Sequence, residues 1–239
     1  MKKTAKAEEK EALYDKTPLD VDKKYKTVVF LVRHGQSIGN AKREFLGHTN
    51  KDLSSLGYIQ AERTADFLAG EQIDAVYSSD LMRAYNTALP HAKKRGLEVV
   101  TSENLRELYA GAWEGMFVED IIAAYPHEFL DNWRESFGLT TIPDGESVQA
   151  GAERFYKEVL GIAKREEGKR ILVAAHAAVI RGFWGKITET PPEELARAFD
   201  YPTNASVSVL YFDGERLIPG EYSHDAHLSD IDGNVPNGA

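Results

Sequence analysis

The sequence predicts an α/β fold with a mainly parallel central sheet, helices on both faces and an antiparallel hairpin at one edge. Two apolar runs indicate this class most directly, TVVFLV at residues 27–32 and RILVAA at residues 170–175. Continuous apolar strands rich in β-branched residues are typical of a parallel sheet that is covered on both faces. Strand and helix patterns alternate between the two runs, which favours crossover connections. The 239 residues, of which 42% are hydrophobic, suit one large domain.

The first half of the chain predicts three strands and two helices. After the strand at 27–32, a glycine-rich loop leads to a helix that begins at Ser54 or Ser55 and stops before Gly70. A second strand is predicted at 73–77, and a helix at 81–94 leads to a third strand at 97–101. Pro90 favours a bend in that helix, because proline removes one backbone hydrogen bond.

The second half of the chain predicts the remaining helices and strands. Residues 118–133 have a helical pattern that breaks near Pro126, and apolar residues recur at helical spacing after Gly145. The strand at 170–175 precedes a helix at 177–187. Strands at 206–212 and 215–218 form a hairpin, for which Asp213 and Gly214 supply the turn.

Charge and composition set the expected boundaries and exclude several function classes. Residues 1–24 form a polar extension, 25–228 a single domain, and 229–239 a flexible tail. The net charge of −9 argues against a nucleic-acid partner. The absence of cysteine excludes disulfides and thiolate metal sites. No apolar stretch reaches the roughly 20 residues of a membrane span, and no secretory signal opens the chain, so we expect a cytoplasmic protein with no membrane partner.

Charged and imidazole side chains follow the predicted strands at the ends where α/β sheets bind ligands. Arg33 and His34 follow the first strand, and Arg83 follows the second. Glu107 lies shortly after the third, and His176 directly after the strand at 170–175. We therefore expect these five side chains to lie close together at one edge of the sheet.

This set suits phosphoryl transfer through a covalent histidine. A neutral imidazole attacks phosphorus, arginines bind the phosphate oxygens, and a carboxyl group protonates the leaving oxygen and then activates water. Such a site requires neither metal nor cofactor. A zinc site of His34, His176 and Glu107 is rejected because the neighbouring arginines would repel the cation. His224 and His227 lack a defined third ligand, so no metal is expected there.

Several motifs resemble those of a known family. The segment LVRHGQSIGN at 31–40 resembles the signature of the histidine phosphatase superfamily, with its three-layer phosphoglycerate mutase-like fold. Further blocks are similar in the same order: SSDLMRAYNTA at 78–88, RE at 106–107 with GAWEG at 111–115, GES at 145–147, AHAAVIR at 175–181, and NAS at 204–206 with AHL at 226–228. The resemblance runs from about residue 28 to residue 228.

The resemblance implies a role for each matching residue. His34 is expected to be the nucleophile and Glu107 the general acid and base. The residues expected to bind phosphate are Arg33, Asn40, Arg83, His176 and the backbone N–H of Ala177. Gly47, Tyr109 and Trp113 are candidate substrate contacts. Leu46 stands where many relatives carry a polar residue, which puts one substrate contact in doubt.

The function expected from this pattern is a metal-independent phosphomonoester phosphatase with a small-molecule substrate. A cofactor-primed phosphoglycerate mutase is the first alternative, with His34 returning the phosphoryl group. The segment between Glu107 and His176 is short for a lid that would shield a phosphohistidine from water, which favours hydrolysis. A catalytically idle phospho-ligand-binding module is the second alternative. The sequence leaves a homodimer open.

Overall fold

One mixed sheet organises the chain in a computed structural model that describes residues 17–231. The strands are β1 (Thr27–Arg33), β2 (Ala75–Ser79), β3 (Val99–Ser102), β4 (Arg170–Ala175), β5 (Val207–Phe212) and β6 (Leu217–Pro219). Their spatial order is β3-β2-β4-β1-β5-β6. The first four are mutually parallel, whereas β5 pairs antiparallel with β1 and β6. The predicted α/β class with a hairpin at the edge is confirmed.

Helices cover both faces of this sheet. The helices are α1 (Ile38–Ala41), α2 (Ser55–Phe67), α3 (Met82–Arg95), α4 (Val118–Ala124), α5 (Val148–Arg165), α6 (Ala177–Ile187) and α7 (Leu195–Ala198). The side chain of Ser54 caps α2 by accepting a hydrogen bond from Gly57 N–H at 3.1 Å, and Ser147 caps α5 in the same way through Ala150. Gly96, at φ +66°, ends α3 in the left-handed conformation. The helices α2 and α3 pack together, and so do α5 and α6.

Successive residues of β1 enter two separate cores. Val29 and Leu31 join the core that includes α5 and α6, whereas Val28 and Phe30 join the core that includes α3. All seven residues of β1 are buried. Each fully buried apolar side chain of this size contributes roughly 1.5–3 kcal/mol. The uninterrupted apolar pattern of this strand therefore reflects burial on both faces.

Some predicted elements differ from the observed ones. The strand predicted at 73–77 is displaced by two residues, to β2. The helix α3 continues through Pro90 without a break. The break predicted near Pro126 separates α4 from a π-helical segment at His127–Arg134. The hairpin predicted at 206–218 is present as β5 and β6.

The end of the predicted N-terminal extension and Tyr25, the first residue of the predicted domain, contact Tyr211 of β5. The ring of Tyr25 stacks on that of Tyr211 at 4.6 Å between centroids, and Asp22 N–H donates to the Tyr211 hydroxyl at 2.8 Å. The first 16 residues of the predicted extension, and residues 232–239 of the predicted tail, lie outside the described residues. Within residues 17–231, no helix has both the length and the apolar character needed to cross a bilayer.

Candidate active site

The adjacent central strands β1 and β4 place two histidines side by side. Arg33 is the last residue of β1, and the N–H of His34, which follows it, donates to the Ala175 carbonyl at 2.9 Å. His176 follows β4 directly and is the N-cap residue of α6. The centroids of the two imidazole rings lie 5.1 Å apart, with a 60° tilt between the ring planes. The parallel pairing of β1 with β4 thus produces the expected meeting of these side chains.

The environment of His34 determines its tautomer and its charge. Its Nδ1 lies 2.7 Å from the Gly35 carbonyl oxygen, which can only accept, so Nδ1 carries the hydrogen. Burial holds the pKa of His34 well below its usual value, and the positive charges of Arg83 and Arg33 lower it further. The ring is therefore neutral, with its free electron pair on Nε2. A neutral imidazole of this kind is the form that attacks phosphorus.

Two buried arginines flank this histidine. Arg33 donates from Nη1 to the Pro202 carbonyl at 2.5 Å. Arg83, in the first turn of α3, donates from Nη1 to the Thr49 carbonyl at 2.9 Å and from Nη2 to the Gly47 carbonyl at 2.7 Å. Burial lowers the pKa of each guanidinium to about 10, so both remain charged at neutral pH. The Nε atoms of both arginines have no hydrogen-bond partner among the described residues.

His176 is fully buried and neutral. Burial lowers its pKa well below the usual value, and the nearby Arg83 lowers it further. Neither ring nitrogen has a hydrogen-bond partner within residues 17–231. Buried polar atoms normally have partners. The ring lies behind the surface of the cleft, since His176 is 0% exposed and is not among the lining residues. The following residue, Ala177, lines the cleft at the N-terminus of α6, a position that favours anions.

The carboxylate of Glu107 is bound to the first turn of α6. Its Oε1 accepts from the N–H groups of Val179 at 2.8 Å and Leu108 at 3.0 Å. Its Oε2 accepts from Ala178 N–H at 3.0 Å. Oε2 thus retains more capacity for a further hydrogen bond than Oε1. The helix that begins after His176 also orients the candidate acid, a contact that the sequence did not indicate.

Asn40 and Gly47 line the same cleft, whereas the other two predicted substrate contacts do not. Asn40 Oδ1 accepts from Ser37 N–H at 3.1 Å, so the amide orientation leaves its NH₂ group as a donor for the cleft. Tyr109 is 46% exposed and Trp113 is fully buried. The ring of Trp113 packs edge-on against Phe45. Trp113 therefore supports the wall of the cleft from behind.

The cleft has a cationic inner end and a mixed outer wall. Its cavity volume is about 120 Å³, and it opens to solvent at its mouth. Its inner lining includes the arginines, His34 and Glu107 described above. Arg43 and Glu44 contribute opposite charges to the lining, and Trp133 and Tyr201 contribute aromatic surface. Within the described part of the chain, no group of three or more His, Asp or Glu side chains is arranged to hold a metal ion.

Sequence reasoning missed the residues that hold the site from outside the cleft. Glu114 accepts hydrogen bonds from two loops, and Arg154 donates from Nη2 to the Glu107 carbonyl at 3.1 Å. His48 also donates from Nε2 to that carbonyl at 2.9 Å. The GAWEG block contains Glu114, but nothing in the sequence indicates its partners. Arg106, adjacent to Glu107, pairs with Asp80 through both carboxylate oxygens and does not reach the cleft.

The chain is similar to a known family and to several known proteins. Residues 29–221 match the histidine phosphatase superfamily (branch 1). The chain is 30% identical over 204 residues to phosphoserine phosphatase 1 of Hydrogenobacter thermophilus, covering 85% of this chain and 95% of that protein. It is 32% identical to the metal-independent phosphoserine phosphatase of Arabidopsis thaliana, covering 86% and 84% of the two chains. It is 33% identical to phosphoglycerate mutase-like protein 4 of the same plant, covering 88% and 90%.

Solved structures share the fold. The mycobacterial glucosyl-3-phosphoglycerate phosphatase aligns with a TM-score of 0.76 at 28% identity, covering 83% of this chain and 99% of that one. The Bacillus stearothermophilus protein YhfR aligns with a TM-score of 0.80 at 27% identity, covering 85% and 100%. The three-layer arrangement predicted from the sequence is therefore that of known structures.

Proposed function

The chain belongs to the histidine phosphatase superfamily (branch 1), and we propose that it hydrolyses small phosphomonoesters without a metal, through a phosphohistidine on His34. Phosphatase activity agrees with the named relatives. The observation that carries the mechanism is the Nδ1 contact of His34 with the Gly35 carbonyl. It leaves the Nε2 electron pair of a neutral ring in a cleft lined by cationic side chains.

In the first step, Nε2 of His34 attacks phosphorus and the bond from phosphorus to the leaving oxygen breaks. Arg33 and Arg83 bind the phosphate oxygens, on which negative charge increases, and His176 donates one hydrogen bond to them. Glu107 transfers its proton to the leaving oxygen, so that a neutral alcohol departs. Oε2, which holds the fewer hydrogen bonds, is the oxygen suited to carry that proton.

In the second step, water attacks the phosphohistidine. Glu107, now ionised, accepts a proton from the water as the new phosphorus–oxygen bond forms. The bond between phosphorus and nitrogen breaks, and the electron pair returns to Nε2. Phosphate and neutral His34 are the products. The two steps balance without a metal or a redox partner.

The alcohol portion of the substrate is proposed to be a small acid of the phosphoserine or phosphoglycerate type. Relatives are named for both classes. The outer wall supports this proposal, because Arg43 offers a cation to a substrate carboxylate. Glu44 also lines the cleft, where its carboxylate is paired with Lys51. The guanidinium of Arg43 is only loosely paired, with Nε 3.3 Å from the exposed Glu119 carboxylate.

Hydrolysis of O-phosphoserine, 3-phosphoglycerate and p-nitrophenyl phosphate, with EDTA present throughout, tests the proposal. We expect turnover by the wild type and by His127→Ala, a control at an exposed histidine, and none by His34→Ala. Loss of wild-type activity in EDTA would overturn the metal-free mechanism. Conversion of 3-phosphoglycerate to its isomer, with a bisphosphoglycerate primer and no release of phosphate, would replace the proposal with the mutase.

A further inference from the structure

Glu114 is a carboxylate that neither proposed chemical step uses, yet it joins the two loops beside the cleft. Its Oε2 accepts from Thr49 N–H at 2.8 Å and from the Thr49 hydroxyl at 2.6 Å. Its Oε1 accepts from His48 N–H at 2.7 Å and from Ala110 N–H at 3.0 Å. All four donors are uncharged, three backbone N–H groups and one hydroxyl. One carboxyl side chain thus binds donors from both loops.

The first of these loops holds the phosphate-binding Arg83. The guanidinium donates to the Gly47 carbonyl at 2.7 Å and to the Thr49 carbonyl at 2.9 Å. The Gly47 carbonyl and the His48 N–H belong to one peptide unit, in which the two groups point in opposite directions. When Glu114 binds the N–H end, it therefore turns the carbonyl end toward Arg83.

The second loop carries Glu107. Ala110, three residues beyond Glu107, donates its N–H to Glu114. The first loop also contacts the backbone of Glu107 directly, because the ring of His48 donates to the Glu107 carbonyl at 2.9 Å. The phosphate-binding cation and the acid thus share one framework, with Glu114 at its centre.

The backbone at Gly47 shows how closely Glu114 fits. Gly47 adopts φ +49°, and a Cβ there would overlap Glu114 Oε1 and the Ala110 side chain. A side chain at this position would separate the two loops. Glu114 itself does not line the cleft.

We propose that Glu114 is a positioning residue, which sets the place of the Arg83 guanidinium through the peptide between Gly47 and His48. The proposal rests on the proposed function, because it takes Arg83 as a phosphate ligand. The carboxylates of Glu107 and, to a smaller extent, Glu114 oppose the lowering of the Arg83 pKa by burial.

Calorimetric titration with inorganic phosphate tests the proposal. In Glu114→Gln, one of the two oxygens becomes an NH₂ group that cannot accept a hydrogen bond. At least one of the two loops therefore loses its hydrogen bonds to this side chain. We expect phosphate affinity to fall about tenfold, the loss typical of weakening a hydrogen bond to a charged group. Glu103→Gln makes the same change at a side chain that is 76% exposed, and it should bind phosphate as the wild type does.

The same substitution in an Arg83→Lys background separates positioning from general loosening. Lysine cannot donate to both carbonyls as arginine does. In this background, Glu114→Gln should therefore lower the phosphate affinity by less than about twofold. An equal loss in both backgrounds, or wild-type affinity in Glu114→Gln, would overturn the inference while leaving the proposed function intact. Absence of phosphate binding by the wild type would overturn both.

Thr49→Val keeps the test decisive if Glu114→Gln does not fold. It removes only the hydroxyl donor to Glu114 and preserves the Thr49 carbonyl that binds Arg83. We expect a smaller loss of phosphate affinity that again disappears in the Arg83→Lys background. Unchanged affinity in Thr49→Val would count against the inference.

Discussion

Arg154 holds the carboxylate of Glu146 through two hydrogen bonds, from Nε to Oε1 at 3.0 Å and from Nη2 to Oε2 at 2.7 Å. Both side chains are largely buried, at 22% and 18% exposed. The same guanidinium donates to the Glu107 carbonyl. The pair therefore fixes the backbone of the proposed acid without touching its carboxylate.

Arg154→Met should impair proton transfer to the leaving group. We expect kcat for O-phosphoserine to fall about tenfold, as Glu107 loses part of its alignment. The first step with p-nitrophenyl phosphate should be slowed less, because nitrophenolate departs without a proton, whereas the second step is common to both substrates. Single-turnover measurement of the first step on both substrates provides the test. Arg165→Met, at a more exposed arginine of the same helix, serves as the control, and an equal loss on both substrates would contradict the explanation.

Glu107→Gln removes the transferable proton itself. A general acid contributes about 10²–10⁴-fold, so O-phosphoserine hydrolysis should fall by that factor. With p-nitrophenyl phosphate, the rate of the first step should fall less than with O-phosphoserine. The second step then becomes rate-limiting, and a burst of nitrophenolate precedes steady turnover. Rapid mixing detects the burst. Wild-type rates on O-phosphoserine would exclude Glu107 as the acid.

Asn40→Asp tests the predicted phosphate ligand with almost no change in shape. The new carboxylate can still accept from Ser37 N–H, but it offers no donor and adds a negative charge to the cleft. We expect the inhibition constant of phosphate, as a product inhibitor of hydrolysis, to rise at least about tenfold, with little change in the melting temperature. Unchanged inhibition by phosphate would remove Asn40 from the binding set.

Acid should destabilise the fold through buried neutral histidines. Burial lowers the pKa of His91 to about 3, below the usual 6.5, so the unfolded chain binds a proton that the folded chain does not. The free energy of unfolding therefore falls by about 1.4 kcal/mol per pH unit from this residue as the pH drops from about 6 toward 3.5. In His91→Leu, urea unfolding at several pH values should show a shallower dependence. The same slope in both proteins would contradict this origin.

Gly57→Ala should disturb both stability and catalysis. A Cβ on Gly57 would overlap the Gln36 carbonyl, and one on Gly35 would lie 2.5 Å from the Gly57 carbonyl oxygen. The loop after His34 therefore lies directly against the start of α2. We expect a loss of about 1–3 kcal/mol in urea unfolding, together with lower kcat. Gly70→Ala, where the added atom has open space, should leave both unchanged.

The sequence predicted the features that local residue patterns determine, such as the buried strands and the polar residues after them. It predicted fewer of the features that depend on contacts between distant segments. The apolar runs of β1 and β4 and the polar residues after them indicated both the sheet and the positions of His34 and His176. The edge strand β3, with Val100 51% exposed, has a weaker apolar pattern, and its start was misplaced by two residues. The role of Glu114 depends on Thr49, which lies 65 positions away. No local pattern contains that information.

The attachment of Glu107 to the first turn of α6 has a consequence for how specificity could be redesigned. Because that turn directly follows His176, the proposed proton donor and the proposed phosphate-binding imidazole are held by the same helix N-terminus. Trp133, which lines the cleft, supplies none of the three hydrogen bonds that the Glu107 carboxylate accepts from backbone N–H groups. Substitution of Trp133 should therefore change which alcohols the cleft accepts, while the hydrogen bonds that orient Glu107 stay in place.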